Sequence, residues 1–115
     1  MTERIAVVTG GLTGIGLESA KALQKSGHKI IIGSRRCRGK QFESVQKILG
    51  KNSFFFHLDV GDEKSVKEFT SQIKKNIGDP SILVNAAGIY REAQIKDDNT
   101  EHWRDQLDVN LTGPF

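Results

Sequence analysis

An apolar run, Ile5-Ala6-Val7-Val8, leads directly into Thr9-Gly10-Gly11-Leu12-Thr13-Gly14-Ile15-Gly16, and a helix-forming stretch from Leu17 to Lys25 follows. Glycines at such a junction let the backbone turn sharply and let a phosphate approach with no Cβ in the way. A helix that starts there presents free amides and a partial positive charge. The junction therefore requires a strand, a tight turn and a helix in that order. Its spacing excludes two common loops. G-x-G-x-x-G fails because Gly14 and Gly16 are followed by Ser19. A P-loop fails because Leu17-Glu18 stands where Lys-Ser/Thr is required, although Gly11 and Gly16 have its glycine spacing. What remains is G-x-x-x-G-x-G at Gly10, Gly14 and Gly16.

Three further apolar runs follow: Ile30-Ile31-Ile32, Phe54-Phe55-Phe56 and Ile82-Leu83-Val84. They are continuous rather than alternating, as strands buried on both faces of a parallel sheet are. Their starts lie about 25 residues apart, room for one helix between neighbours. Phe42, Val45, Ile48 and Leu49 share one helical face before Gly50. Val66, Phe69, Ile73 and Ile77 do the same before Gly78-Asp79-Pro80. A fourth helix is expected from near Thr100, with Thr100 capping it and Leu107 and Leu111 on one side. Trp103 is expected to anchor that helix against the sheet, and Phe54–Phe56 to be core. The pattern predicts an α/β fold, a doubly wound parallel sheet of about four β-α units with Ile82–Asn85 as an open edge. Such an edge invites association.

Composition narrows the class. The 115 residues suit one domain. Lys plus Arg number 17 and Asp plus Glu 14, a net charge of +3. That is too little for the dense basic stripe of a nucleic-acid binder, so no nucleic-acid partner is expected. A single cysteine, Cys37, excludes an intrachain disulfide and a Cys-based metal cage. No metal is expected, and the cytoplasm or another reducing compartment is. No apolar run reaches the roughly 18 residues of a membrane span. The run behind Met1-Thr2-Glu3-Arg4 ends in Gly-Gly, unlike a signal peptide. His28, His57 and His102 are scattered and read as surface or packing residues, and Cys37 as incidental.

Four motifs in order resemble the short-chain dehydrogenase/reductase family. Thr9-Gly10 through Gly16 matches its T-G-x-x-x-G-x-G. Leu58-Asp59-Val60 follows the third run, Asn85-Ala86-Ala87-Gly88 follows the fourth, and Asp108-Val109-Asn110-Leu111-Thr112-Gly113 lies in the last helical segment. The resemblance implies a Rossmann fold and a nicotinamide cofactor. It implies cofactor contacts at Gly10, Leu12, Thr13, Gly14, Ile15 and Gly16, at Asp59 and Val60 beside the adenine, and at Asn85, Ala86, Ala87 and Gly88. Asn110 would be the one catalytic residue carried over. The resemblance covers the whole chain but only the cofactor half of a family member. Residues 1–115 are thus expected to be the NADP-binding N-terminal part of a longer, homo-oligomeric single-domain enzyme. Each motif also has a structural reading: the glycines as a plain tight turn, Asp59 as the start of a helix-leading loop, Asn85 as a turn residue that steadies the strands, Asn110 as a buried polar helix residue.

The end of the second strand bears on the cofactor. An acidic residue there accepts from a ribose 2′-hydroxyl and repels a 2′-phosphate. Here the residues are Ile32-Gly33-Ser34-Arg35-Arg36, with no carboxylate. Ser34 can donate to a phosphate oxygen, and Arg35 offers a planar fork of fixed charge. NADP(H) is the expected cofactor, with Arg36 as a helper and Arg38 and Lys40 as solvated helix residues. A solvated basic turn is the structural alternative.

In the family a Tyr and a Lys, spaced Y-x-x-x-K, handle the substrate proton, and a Ser orients the substrate. The one tyrosine here is Tyr90, and the residue four positions on is Gln94. Tyr90 is therefore not the catalytic Tyr. The resemblance implies an NADP(H)-dependent oxidoreductase acting on a small-molecule carbonyl, of the 3-oxoacyl kind, or on the alcohol. A non-catalytic nucleotide-binding fragment is the alternative. A methyltransferase is more distant, because it would want an acidic residue where Ser34-Arg35 stands.

Overall fold

The computed structural model describes residues 3–89 and 94–115. Strands β1 (Ile5–Thr9), β2 (Lys29–Ser34), β3 (Ser53–His57) and β4 (Ile82–Asn85) alternate with helices α1 (Gly14–Lys25), α2 (Lys40–Leu49) and α3 (Glu63–Asn76). Helix α4 (Thr100–Leu107) follows and widens into a π-helical turn at Asp108–Thr112. The strands form one parallel sheet in the order β3-β2-β1-β4. The expected doubly wound sheet is present, and β4 stands at its edge with Leu83 59% exposed.

The unbroken apolar runs are explained by layers on both faces. Ala6, Val8, Ile30 and Ile32 join Leu12, Ala20, Val45 and Leu49 beneath α1 and α2. Val7 and Ile31 face the other way, onto Leu58, Phe69 and Ile73 beneath α3. Burying each of these larger side chains stabilises the fold by about 1.5–3 kcal/mol.

Several expectations change. Phe54–Phe56 is only half-buried, because β3 is an edge strand covered on one flank by β2. Phe55 and Phe56 instead make edge-to-face pairs with Phe42 at 5.0 Å and Phe69 at 6.4 Å between centroids. Ile48 drops out of the α2 stripe and is exposed, since Phe42, Val45 and Leu49 already fill the contact. Asn99, not Thr100, caps α4: its Oδ1 accepts from the His102 N–H at 2.9 Å, while Thr100 is already helical. Trp103 is no anchor, being 62% exposed on a helix with no buried residue. Arg38 lies in the turn before α2 rather than in a helix. His28 is a packing residue, one of its two expected readings: it is buried, with its Nδ1 accepting from the Arg4 N–H at 3.1 Å.

Candidate cofactor site

In a sheet ordered β3-β2-β1-β4 the direction of winding reverses between β1 and β4. Ligands of open α/β sheets bind at that point, outside the carboxyl ends of the strands. A cleft of about 400 Å³ opens there.

The glycine loop forms its floor. Gly10 has φ +66°, and a Cβ on it would lie 2.7 Å from the Ala87 Cα. A Cβ on Gly16 would strike the Gly10 carbonyl oxygen. These two glycines let β1, α1 and the 86–88 loop close on one another. Gly14 is different. Its φ is +54°, yet a Cβ there would meet nothing within 4 Å. Thr13 occupies the N-cap of α1 without making a side-chain capping bond, and the first turn carries no acid. By contrast, Asp62 and Asn99 cap α3 and α4. The first amides of α1 are thus left for another acceptor.

Thr9, in the last position of β1, joins this loop to the next. Its Oγ1 accepts from the N–H groups of Ala86 at 3.1 Å and Ala87 at 3.2 Å, and lies 3.5 Å from the Val84 carbonyl. On the β2 side, Ser34 Oγ accepts from the Arg36 N–H at 3.1 Å, a local turn that turns the basic pair toward the cleft mouth. Arg35 and Arg36 are exposed, and among the described residues neither forms an ion pair. Asp59 has the loop-shaping role of its structural reading and also stands in the cleft wall. Its Oδ1 accepts from the Gly61 N–H at 3.0 Å, shaping the turn into α3.

The cleft wall contains Gly10, Leu12, Thr13, Gly14, Ile15 and Gly16, together with Ser34, Arg35, Asp59, Val60, Ala86, Ala87 and Gly88. Two expected residues lie elsewhere. Asn85 pairs with Thr9 at the end of β4 and lines a separate hollow of about 550 Å³ on the α3 face. Asn110 is not in the cleft wall; it grips Ile89, which is. Tyr90 lies outside the described residues.

Six lining residues were not among the expected contacts. Gly33, Leu58, Ile89 and Val109 adjoin expected residues, so proximity was their signal. Arg36 was named only as a helper. Gln41 had no signal: its Nε2 donates to the Leu12 carbonyl at 2.7 Å from the first turn of α2. Burial pushes the Cys37 thiol up, and its Sγ lies 3.6 Å from the Ser34 carbonyl. Among the described residues no group of three or more His, Cys, Asp and Glu could hold a metal ion, and no helix is long and apolar enough to cross a membrane.

A family model described as short chain dehydrogenase matches residues 4–115. The chain belongs to this family. Carbonyl reductase family member 4 of Danio rerio is 37% identical over 110 residues, covering 96% of this chain and 46% of that protein. The 3-oxoacyl-[acyl-carrier-protein] reductase of Haemophilus influenzae is 36% identical, covering 100% and 47%. The acetoacetyl-CoA reductase of Cupriavidus necator is 33% identical, covering 100% and 48%. An alcohol dehydrogenase from the archaeon Thermococcus sibiricus, solved with 5-hydroxy-NADP, superposes with a TM-score of 0.86 at 28% identity, over 97% of this chain and 48% of that one. The chain spans about half the length of the curated relatives it matches. Short-chain dehydrogenases are oxidoreductases that bind nicotinamide cofactors, and the cleft fits such a group. The glycine at position 14 and the start of α1, which lacks a side-chain cap, suit a pyrophosphate, and the exposed guanidinium groups of Arg35 and Arg36 suit a further anion.

Proposed function

We propose that residues 1–115 are the NADP(H)-binding part of a longer oxidoreductase that reduces a small carbonyl substrate, of the 3-oxoacyl class, or oxidises the corresponding alcohol. The observation that carries this reading is the convergence of the glycine loop, Ser34-Arg35-Arg36, Asp59-Val60 and Ala86–Gly88 on one cleft. The names of the carbonyl, acetoacetyl-CoA and 3-oxoacyl reductases among the relatives support the substrate class. The single free Cys37 suits a reducing compartment.

The roles of the residues follow from what they present. The α1 amides from Gly14 onward would hold the pyrophosphate. Arg35, with Ser34 and Arg36, would hold the 2′-phosphate by charge-assisted hydrogen bonds. Asp59 and Val60 would contact the adenine. Leu12 and Ile15 present apolar surface along the cleft, and Ile15 is 81% exposed there. Asn110 keeps the Ile89 backbone in place beside Gly88. A dinucleotide held in this cleft would supply or accept the hydride. Proton transfer to the substrate needs a Tyr and Lys pair, and Tyr90 with Gln94 does not make one.

Titration of the protein with NADPH and with NADH tests this reading. NADPH should bind about ten- to a hundredfold more tightly, from charge-assisted bonds worth roughly 1.5–3 kcal/mol. The same protein should not oxidise NADPH in the presence of reactive dicarbonyls. Equal affinities or a preference for NADH overturns the cofactor assignment. Turnover at the rate of full-length relatives overturns the assignment of the proton step.

A further inference from the structure

We infer that Gln41 is a positioning residue for the cofactor loop, a role that rests on the dinucleotide reading of the cleft. Gln41 stands in the first turn of α2 and belongs to the wall of the cleft. Its Nε2 reaches 29 residues back along the chain to the Leu12 carbonyl, at 2.7 Å. A carbonyl can only accept, so the amide must present its NH₂ to Leu12, and the orientation of the side chain is set. Leu12 is itself held: its side chain is 6% exposed and packs in the core under α1 and α2. The peptide that Gln41 grips therefore has one anchor in the core and one at the cleft.

The location gives the contact its consequence. Leu12 immediately precedes Thr13, the N-cap of α1, and Gly14, which lines the cleft. Gln41 follows closely on the Ser34–Gly39 turn that carries Arg35 and Arg36. The hydrogen bond thus ties the loop that would hold the pyrophosphate to the segment that would hold the 2′-phosphate. The N-cap of α2 is Gly39, with φ +99° and no side-chain capping bond, so this end of the helix lacks a side-chain cap among the described residues. A bond that sets the pose of the pyrophosphate loop acts on every ligand carrying a pyrophosphate. It does not distinguish a 2′-phosphate from a 2′-hydroxyl.

The test compares Gln41→Leu with the parent protein in titrations with NADPH and NADH. Thermal unfolding and amide hydrogen exchange of Thr13–Gly16 are followed without cofactor. Loss of one neutral hydrogen bond should weaken both cofactors by about three- to tenfold, with their ratio unchanged. Exchange at the loop amides should speed up while the melting temperature stays close to that of the parent. Gln41→Asn, one methylene short of the carbonyl, should behave alike and carries the test if the leucine variant does not fold. Undiminished affinity for both cofactors overturns the inference. So does weakening of NADPH alone, which would make Gln41 a reader of the ribose substituent. If the parent binds neither cofactor, the dinucleotide reading itself fails, and the inference with it.

Discussion

Asn110 holds the backbone of Ile89 by both ends of its amide. Its Nδ2 donates to the Ile89 carbonyl at 2.7 Å, and its Oδ1 accepts from the Ile89 N–H at 2.8 Å. Asn110 sits in the π-helical turn that extends α4, and Ile89 follows the loop after β4. The wider turn packs closely on the start of the α3 loop, where a Cβ on Gly113 would lie 2.7 Å from the Val60 carbonyl oxygen. One side chain thereby fixes the register between two segments that share no strand. Asn110→Ala should lower stability by about 1–2 kcal/mol, toward the low end for exposed bonds. Urea unfolding with an unchanged m-value checks this. Asn110→Asp keeps an acceptor but sets a carboxylate against the Ile89 carbonyl, and should be no more stable than the alanine variant.

The three loop glycines should separate folding from binding. Gly10→Ala places a Cβ against the Ala87 backbone at positive φ, and Gly16→Ala drives one into the Gly10 carbonyl. Each should cost more than about 2 kcal/mol, because backbone on both sides must shift. Gly14→Ala meets open space and adds only the left-handed penalty of about 1–2 kcal/mol. It should still reduce NADPH affinity at least tenfold, since the new methyl would stand where the ligand approaches. Melting curves paired with titrations distinguish the two classes. A Gly14→Ala protein that binds as the parent does would remove that glycine from the site.

Cofactor preference should follow the β2 turn. Arg35→Ala should remove most of the NADPH advantage while leaving NADH nearly unchanged, and Arg36→Ala should matter less. Ser34→Asp should reverse the preference, because a carboxylate repels the 2′-phosphate and accepts from the 2′-hydroxyl. The geometry favours that variant, since an aspartate oxygen can replace Ser34 Oγ as acceptor for the Arg36 N–H. Salt must be held constant, because screening weakens the NADPH term. An unchanged NADPH-to-NADH ratio in Arg35→Ala would leave the turn as solvated surface.

Cys37 should react slowly. Burial disfavours its thiolate and holds the thiol above its ordinary range, despite Arg35, Arg36 and Arg38 nearby in sequence. Its rate with a disulfide reagent at pH 8 should fall below that of an unperturbed thiol, and should climb as pH rises toward and through the raised value. A rate above that of the free thiol would show that the arginines prevail.

How much of this was legible in the sequence differs from part to part, for a physical reason. The four strands, the helices between them and the glycine junction at Gly10, Gly14 and Gly16 were readable, because apolar periodicity and φ requirements are properties of neighbouring residues. Ile30–Ile32 declared a strand covered on both faces, and it is. The edge character of Phe54–Phe56 was hidden, since a continuous apolar run does not say which strand lies beside it. The capping of α4 by Asn99 rather than Thr100 turned on one residue of offset, which periodicity does not resolve. The clasps around the cleft were beyond any local pattern. Thr9 meets Ala86 across 77 residues, Gln41 meets Leu12 across 29, and Asn110 meets Ile89 across 21. Those bonds exist only because the strand order sets β4 beside β1 and β2 on its other side, bringing the loops at their carboxyl ends within hydrogen-bonding distance. The same arrangement turns Asn85 to the opposite hollow, although it adjoins Ala86 in the chain. The sequence by itself determined which segments could form a dinucleotide loop; the tertiary fold decided which distant side chains hold that loop in shape.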